Sequence, residues 1–529
     1  MAARMIRTIA RLGLVASGLG GLMAGGATAQ TLAIASSAPV TSIDPHYHTF
    51  SPNESLHSHI YERLVHRKAD NSLAPGLAAS WKLIDDKTWE FKLRDAKFQN
   101  GEPVTAEDVV YSINRVPKVK NSPASFQIYM RAVAGAEVVD AKTVRLKTAT
   151  PYPLLAIDLS QIFIIPRSLG DDPATEDFNS GKNAIGSGPY RFVSYRPGEK
   201  IELERNDAYW GEKPHWQHVT YRIISNDGAR TASLLAGDVG IIEFVPPVDV
   251  PSLRKDDRVS LFEVVSNRSI FLWLDHSHTG APPTVFGPNG ETLDKNPLKD
   301  HRVREALSIA INRQAIVERV MENTAIPTGQ YLRPGAPTYV PDIKPAPYDP
   351  ERAKKLLAEA GFPNGFRISL HGPNNRYVND AKIIQAVGQM WQRIGVQTTV
   401  EGLPWSNYIA RAGKQEFAAF LLGWGVSSGE GMNPLRAQLA TWDPKRGLGT
   451  ANRGRYSNPA LDALIDKAMT IMDDGEREKV VQDAMRMAIA DVPVIHLHLQ
   501  KNIWATRKGL TYEPRVDEST LAMGVKPAQ

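Results

Sequence analysis

Residues 366–424 read FRISLHGPNNRYVNDAKIIQAVGQMWQRIGVQTTVEGLPWSNYIARAGKQEFAAFLLGW, where short strand-like runs alternate with longer helical runs. The pattern predicts strands at 366–371, 396–401 and 418–424, separated by helices at 379–394 and 406–414. Strands that alternate with helices typically form a parallel sheet. The wholly apolar run at 418–422 is typical of a strand that is covered on both faces. The sequence therefore predicts an α/β fold in this part of the chain.

The same topology predicts where a ligand would bind. Ligands of open parallel sheets bind outside the carboxyl ends of the strands, and each of the three loops that follow these strands combines glycine with an aromatic or charged residue. We expect Arg376, Trp405 and Trp424 to lie at one edge of the sheet. Both tryptophans are candidates for ligand contact. Arg376 suits a bidentate contact with a carboxylate, although the pattern alone favours an ordinary exposed loop arginine.

The flanking sequence predicts further elements. An alternating strand at 88–94, a capping box from Thr105 to Asp108 and a hairpin at 136–147 indicate a mixed α+β region. Apolar residues at helical spacing predict one core-facing helix over 303–321. The alternating run at 495–505 predicts a strand that returns to the first half of the molecule and forms a hinge.

The N-terminal residues 1–29 have the pattern of a cleavable signal peptide. Three arginines precede an apolar run at 12–26, and Ala27-Thr-Ala29 supplies a small-residue cleavage site that would release a chain starting at Gln30. The chain has no cysteine, so neither a disulfide nor a thioether lipid anchor is available to it. We therefore predict export to the periplasm as a free protein and not as a lipoprotein.

Size and charge limit the remaining possibilities. A chain of 529 residues exceeds the roughly 250–300 residues at which a single core stops growing, so two large lobes are expected. The formal net charge is +5, and it would be +2 without the three signal arginines. Acidic and basic residues are interspersed, and the basic stripe of a nucleic-acid-binding protein is missing.

The sequence offers little for catalysis. It contains no Gly-x-Ser-x-Gly nucleophile elbow and no cysteine, although unpaired carboxylates leave a glycosidase open. Three histidine pairs (46/48, 57/59 and 496/498) would each place two imidazoles on one face of an extended segment, as in a metal site, or are ordinary core and surface histidines. We predict no enzyme activity, no metal site and no cofactor.

Seven motifs, in their order and spacing, resemble one protein family across essentially the whole chain after residue 30. They are SIDP (42–45), IYERL (60–64), LAPGLAASW (73–81), FQNGEPVTAEDV (98–109), GSGPY (186–190), NDAYW (206–210) and VREALSIAIN (303–312). On these motifs the chain resembles the family 5 solute-binding proteins of bacterial ABC importers, the dipeptide-, oligopeptide- and nickel-binding type.

The resemblance implies a two-lobed periplasmic-binding-protein fold of class II type, with the ligand cleft between hinged lobes. It implies lobe I at 30–270, an inserted α+β subdomain at about 50–170, lobe II at 271–480 and a return to lobe I at 481–529. Members capture short peptides or related solutes and deliver them to a membrane permease driven by ATPase subunits; they are not enzymes and are usually monomers. A metal chelate, haem or an opine-like ligand in the same fold is the alternative, and a secreted hydrolase is less favoured.

Nine residues are predicted to contact the ligand: Arg376, Tyr377, Trp405, Trp424, Ser427, Glu430, Tyr47, Thr49 and Phe50. By resemblance, Arg376 and Tyr377 would hold the ligand carboxylate. Ser427 stands near the position where dipeptide-binding relatives have an aspartate for the amino group, so simple dipeptide recognition is not implied. The stretch 427–430 resembles one in glutathione-binding relatives, which suggests Glu430 for the amine. The remaining three residues, Tyr47, Thr49 and Phe50, would contact the peptide backbone.

Overall fold

A twelve-stranded sheet extends through both halves of the protein. The computed structural model describes residues 30–123 and 125–528, so the predicted signal peptide lies outside the described residues. The strands of the main path, in spatial order, are Tyr190–Arg196, Lys200–Arg205, His218–Ile223, Thr31–Ser36, Ile241–Ile242, Val494–Arg507, Val259–Leu274, Ala419–Gly425, Arg367–Pro373 and Val285–Phe286. Off this path, Gln397–Leu403 pairs with Arg367–Pro373, and Ala325–Pro327 pairs with Val494–Arg507.

Two long antiparallel strands, Val259–Leu274 and Val494–Arg507, connect the halves of this sheet. Their register shifts between Val265 and Ser269, where regular pairing is interrupted. At one end, Val494–Arg507 pairs with Ile241–Ile242 in the first half, as expected of a strand that returns there. The strand predicted at 495–505 is therefore confirmed, while the return of residues 481–529 to lobe I stays a prediction.

The first half is built around Thr31–Ser36, which is parallel to both of its neighbours. Its helices are Ser51–Ile60, Thr175–Asn179, Asp227–Ala236 and Val250–Leu253. Three two-stranded sheets accompany it, namely Glu62–Arg63 with Phe163–Ile164, Val65–Arg67 with Leu73–Pro75, and Leu510–Tyr512 with Val525–Pro527. Buried aliphatic and aromatic side chains, such as Ile34 and Tyr221, form its core.

A separate four-stranded antiparallel sheet lies within the range predicted for an inserted subdomain. It contains Ala78–Asp85, Thr88–Leu93, Thr143–Thr148 and Val133–Asp140, and it accompanies helices Ala106–Arg115, Gln127–Met130 and Leu155–Leu159. The predicted capping box is present, since the Thr105 amide donates to Asp108 Oδ2 at 2.8 Å. The predicted strand at 88–94 and hairpin at 136–147 are confirmed as well.

The second half contains the remaining α-helices of the described residues. They are His301–Ile309, Arg313–Arg319, Pro350–Glu359, Asp380–Gln392, Trp405–Gly413, Met432–Pro434, Pro459–Ala468 and Asp474–Ala490, and a π-helical turn spans Leu435–Leu439. Short 3-10 turns occur at Val116–Lys118, Arg167–Leu169, Pro247–Asp249, Pro297–Lys299 and Ala522–Gly524. No helix among the described residues is both long and apolar enough to cross a membrane.

All five elements predicted within 366–424 are present. Strand Arg367–Pro373 is parallel to both Gln397–Leu403 and Ala419–Gly425, and residues Ala419–Leu422 are buried, as predicted for a strand covered on both faces. The other edge of Ala419–Gly425 pairs antiparallel with Val259–Leu274, a contact that the local pattern does not predict.

The single helix predicted over 303–321 is wrong. The chain forms two helices there, because Asn312 leaves the helical conformation (ψ of 89°) and its side chain accepts a hydrogen bond from the Ala315 amide at 2.9 Å. An N-cap of this kind begins a new helix inside a continuous apolar pattern. The lobe boundaries remain a prediction; the one at 270 falls within strand Val259–Leu274 and the one at 480/481 within helix Asp474–Ala490.

Candidate functional site

A cavity of about 1060 Å³ is lined by the first half, by the small subdomain and by the second half. Its volume is at the upper end of the ~300–1000 Å³ that small-molecule sites usually have. The lining includes Phe50 and Asp517 from the first half, Tyr129 from the subdomain region, and Arg376 and Trp424 from the second half. A ligand in this cavity would contact all three parts of the molecule.

The strand-end loops bring the predicted aromatic and arginine residues to one wall of the cavity. The guanidinium carbon of Arg376 lies 5.4 Å from the ring centre of Trp405 and 5.2 Å from that of Tyr377. The Tyr377 hydroxyl donates to the Gly423 carbonyl at 3.2 Å, which links the first and third loops. Arg376, Trp405 and Trp424 therefore gather as the parallel topology predicts, while their contact with a ligand stays a prediction.

Hydrogen bonds hold the backbone of Arg376, whereas its guanidinium group remains available to a ligand. The amides of Arg376 and Tyr377 both donate to Asp380 Oδ2, at 2.9 and 3.0 Å. Among the described residues, no carboxylate forms an ion pair with the Arg376 side chain, and the aromatic faces are its neighbours. Burial, followed by the nearby charge of Arg268, lowers the pKa of Arg376. A ligand carboxylate at this point would supply the missing counter-charge.

Other arginines of the cavity already have partners. Arg268 and Glu518 form a bidentate pair with one N–O distance of 2.6 Å, and Arg515 pairs with Asp517 at 2.7 Å. Arg268 and Glu518 are separated by 250 positions in the chain, so no local pattern could predict their pairing. The carboxylates of these pairs offset the positive charge of Arg268 and Arg515 at the cavity wall when no ligand is bound.

Glu62 is a carboxyl group of the cavity that is neutral at pH 7. The Tyr209 hydroxyl donates to it at 2.9 Å and the Trp210 indole N–H donates to its other oxygen. Burial raises the pKa of Glu62 to about 8, against the opposing effect of these two donors. Because it is protonated at neutral pH, Glu62 does not offset the charge of the arginines there.

Two of the three residues predicted from the first half line the cavity. Thr49 and Phe50 do so, and the Phe50 ring stacks on His48 with centres 5.1 Å apart. Tyr47 is not part of the lining; its carbonyl accepts a hydrogen bond from Ser122 Oγ at 2.5 Å. The structure therefore does not bring Tyr47 to the wall with Thr49 and Phe50.

Glu430 lies outside the main cavity. It is 3% exposed, its Oε2 lies 3.4 Å from Arg477 Nη1, and burial raises its pKa. It lines a side pocket of about 20 Å³ together with Asp158 and Arg436. That pocket has room for about one water-sized group. Ser427 lines both spaces, so Glu430 would reach a ligand only if the ligand placed a small group in the side pocket.

The structure shows the conformation and the hydrogen bonds of paired histidines. The extended conformation predicted for the 57/59 pair is wrong, since both residues lie in helix Ser51–Ile60, where positions two apart face different directions. His46 uses both ring nitrogens on Phe163 and Arg115, at 2.7 and 3.1 Å. In the described part of the chain, no three metal-ligating side chains cluster together.

Sequence reasoning missed Arg453. It lines the cavity from the irregular segment between the π-helical turn and helix Pro459–Ala468. That segment has neither helical nor strand periodicity, so no local signal places its side chains.

A two-part α/β molecule with a ligand-sized cavity lined by both halves has the architecture of a solute-binding protein. The solved structure of the periplasmic binding protein DppA from Helicobacter pylori, in complex with the peptide STSA, has the same fold, with a TM-score of 0.79 at 23% identity over 94% of this chain and 98% of that one. The model of the bacterial extracellular solute-binding proteins, family 5 Middle, matches residues 72–445. The chain belongs to this family.

Curated relatives share most of the chain but differ in their ligands. The glutathione-binding protein GsiB of Pectobacterium atrosepticum is 28% identical over 522 residues, with 96% of each chain covered. The heme-binding protein A of Haemophilus influenzae is also 28% identical, over 468 residues, with 82% of this chain and 81% of the relative covered. These relatives are binding proteins and not enzymes.

Proposed function

We propose that this protein is the periplasmic binding component of an ABC importer and captures a short peptide or peptide-like solute in the large cavity. The observation that carries the proposal is the partly buried Arg376, which has no ion-pair partner among the described residues and lies beside Tyr377 and Trp405 at the wall of a cavity of about 1060 Å³. A peptide offers a carboxylate for the arginine and apolar groups for the aromatic rings. The relative that matches 96% of this chain is named for glutathione, itself a tripeptide.

Capture would proceed by closure of the two halves. A ligand that contacts both sides of the cavity stabilises the closed state over the open state and shifts the population toward it. The ligand's charged groups lose water on closure, so each requires an opposite charge inside. Arg376 meets this requirement for a carboxylate, and the side pocket at Glu430 is where a small ammonium group would be accepted.

The closed, loaded protein would deliver its ligand to a membrane permease driven by ATPase subunits. We propose that it is exported by the signal peptide at 1–29, acts as a monomer and catalyses no reaction. Its ligand class is a peptide rather than a metal chelate, haem or an opine.

Native mass spectrometry of the protein purified from its own periplasm tests this proposal. Spectra before and after denaturation show the mass of any released ligand. A released peptide or glutathione-like compound supports the proposal. A released haem or metal chelate contradicts the peptide class while leaving solute capture intact. An empty protein is then titrated calorimetrically with glutathione and a tripeptide panel, and the absence of binding overturns the peptide class.

A further inference from the structure

The cavity lining carries an excess of positive charge. Seven arginines and five carboxyl residues line it, and no lysine does. One of the five, Glu62, is protonated at pH 7 because burial raises its pKa to about 8. Since a closed cavity excludes water, the excess favours a ligand that brings more negative than positive charge.

Most of these arginines have local acceptors. Arg268 and Arg515 pair with carboxylates, and Arg63 has Glu54 at 3.8 Å. Arg67 donates to Ser160 Oγ at 2.7 Å and to the Ile157 carbonyl. Arg131 is exposed and solvated. The side chains of the remaining two, Arg376 and Arg453, have no ion pair and no hydrogen bond shorter than 3.5 Å among the described residues, although single nitrogens of Arg63 and Arg67 are also buried there without a partner.

Arg453 is half-buried and poorly satisfied. Its hydrogen bond among the described residues is a contact of 3.5 Å from Nη1 to the Ala451 carbonyl, at the limit of such a bond. Its Nε is buried and has no hydrogen-bond partner in the part of the chain that the structure describes. Buried arginine donors of this kind usually have acceptors, and Arg453 lines the cavity in which a ligand could supply one.

The loop that carries Arg453 is fixed in place. The neighbouring Asn452 is fully buried, and its amide donates to the carbonyls of Ala440 and Tyr456 at 2.9 and 2.7 Å. Its side-chain oxygen accepts from the Tyr456 amide at 3.0 Å. Arg453 is thus presented from a rigid loop, as a binding residue should be.

Arg453 and Arg376 line the same cavity. The Tyr377 ring, 5.2 Å from the guanidinium carbon of Arg376, lines this cavity as well. Arg376 and Arg453 are thus two cations of one cavity that have no carboxylate partner among the described residues.

We propose that Arg453 binds a second anionic group of the ligand, beside the carboxylate held by Arg376, so that the preferred peptide ends in an acidic residue. The inference rests on the proposed function, because it assumes that the cavity takes a peptide with its carboxyl end at Arg376. A C-terminal glutamate or aspartate carries the two carboxylates at one end of the molecule.

Calorimetry with the tripeptides Ala-Ala-Glu and Ala-Ala-Gln tests the assignment, since the two differ in charge but hardly in size. Hydrogen bonds to a charged group contribute about 1.5–3 kcal/mol, so the wild type should bind the Glu peptide about 10–100-fold more tightly. In Arg453→Gln this preference should fall to near one, with little change in affinity for the Gln peptide. Equal affinities in the wild type, or an unchanged preference in Arg453→Gln, would overturn the inference.

Arg455→Gln is the matched control. Arg455 lies two positions further on, stacks 4.4 Å above Trp442 and does not line the cavity, so its loss should leave the preference unchanged. Loss of preference in this variant too would show that disturbance of the loop, and not of the Arg453 charge, is responsible, and would overturn the inference.

A second probe separates this inference from the proposed function. If neither peptide binds the wild type, the peptide class is wrong, and glutarate, a free dicarboxylate, then tests the anion site alone. A rise in thermal midpoint in the wild type that is lost in Arg453→Gln supports the anion site. An equal response of the two proteins, or none in either, overturns it.

Discussion

At the scale of the residue, the candidate site depends on how Arg376 is placed. Its backbone amide is fixed by Asp380 at 2.9 Å, and its guanidinium lies against the rings of Tyr377 and Trp405. Aromatic faces stabilise a cation partly, by about 0.5–2 kcal/mol each, and leave its hydrogen-bond donors unused. Such a residue is prepared for a planar anion, because little conformational freedom is left to lose on binding.

Arg376→Ala should weaken the binding of a carboxylate-bearing peptide by about 2–5 kcal/mol, because the buried carboxylate would lose its partner. Arg376→Lys should recover part of the loss, since lysine keeps the charge but not the planar fork. Calorimetry with Ala-Ala-Glu measures both. Arg367→Ala is the control, because Arg367 lies at the start of the strand that leads into the Arg376 loop, is exposed and donates to the Pro288 carbonyl. A dissociation constant that is the same in Arg376→Ala and in the wild type would remove Arg376 from the site.

At the scale of the element, a local pattern predicts secondary structure well where all residues of a segment share one kind of packing environment. Residues 366–424 meet that condition, so their five elements and the meeting of Arg376, Trp405 and Trp424 follow from the sequence. The break at Asn312 does not, because one side-chain cap outweighs an apolar period that continues through it. Neither the position of Arg453 nor the Arg268–Glu518 pair could be predicted from the sequence. An irregular loop positions Arg453, and a long-range contact forms the pair.

His498, in strand Val494–Arg507, leads to a prediction about the stability of the protein. This side chain is fully buried, and neither ring nitrogen has a hydrogen-bond partner among the described residues. A polar group buried without a partner costs about 1–3 kcal/mol, so His498→Leu should raise the free energy of unfolding by up to that amount. Denaturant unfolding at pH 7 measures it.

His46→Leu is the comparison variant, and it should change the free energy of unfolding in the opposite direction. His46 bonds the Phe163 carbonyl at 2.7 Å and contacts Arg115, so its removal leaves buried partners unsatisfied and should lower the free energy of unfolding. A loss of stability in His498→Leu comparable to that in His46→Leu would show that His498 also has a partner, such as an ordered water.

At the scale of the whole molecule, two long strands join the halves and a charged cavity is lined by both. The proposed closure would bring partly buried arginines and carboxylates together, and a ligand would supply the charge that balances them. The same burial of ionisable groups away from the cavity makes the stability of the protein depend on pH.

Buried histidines should make the protein lose stability as the pH falls from 7 to 5. Burial lowers the pKa of His46, His57, His59, His66 and His276 to about 4, and of His496 and His498 to about 3. In the unfolded chain these groups titrate near pH 6.5, so below that pH the unfolded state binds more protons and is favoured. Their contribution is complete above pH 6.5 and is lost progressively toward pH 4.

Glu62 changes the stability in the opposite direction as the pH falls, and a Glu62 variant supplies the control. Its pKa of about 8 in the folded state lies above that of an ordinary glutamate, so the folded state holds the extra proton and gains stability as the pH falls from 8 to about 4.5. Asp158, with its pKa raised to about 6 by burial, adds a smaller effect of the same sign. Glu62→Gln should therefore steepen the loss of stability on acidification. Denaturant unfolding at pH 7.5, 6.5 and 5.5 measures both slopes. A free energy of unfolding that is flat or rising toward pH 5.5 in the wild type would mean that the histidines take up protons without unfolding.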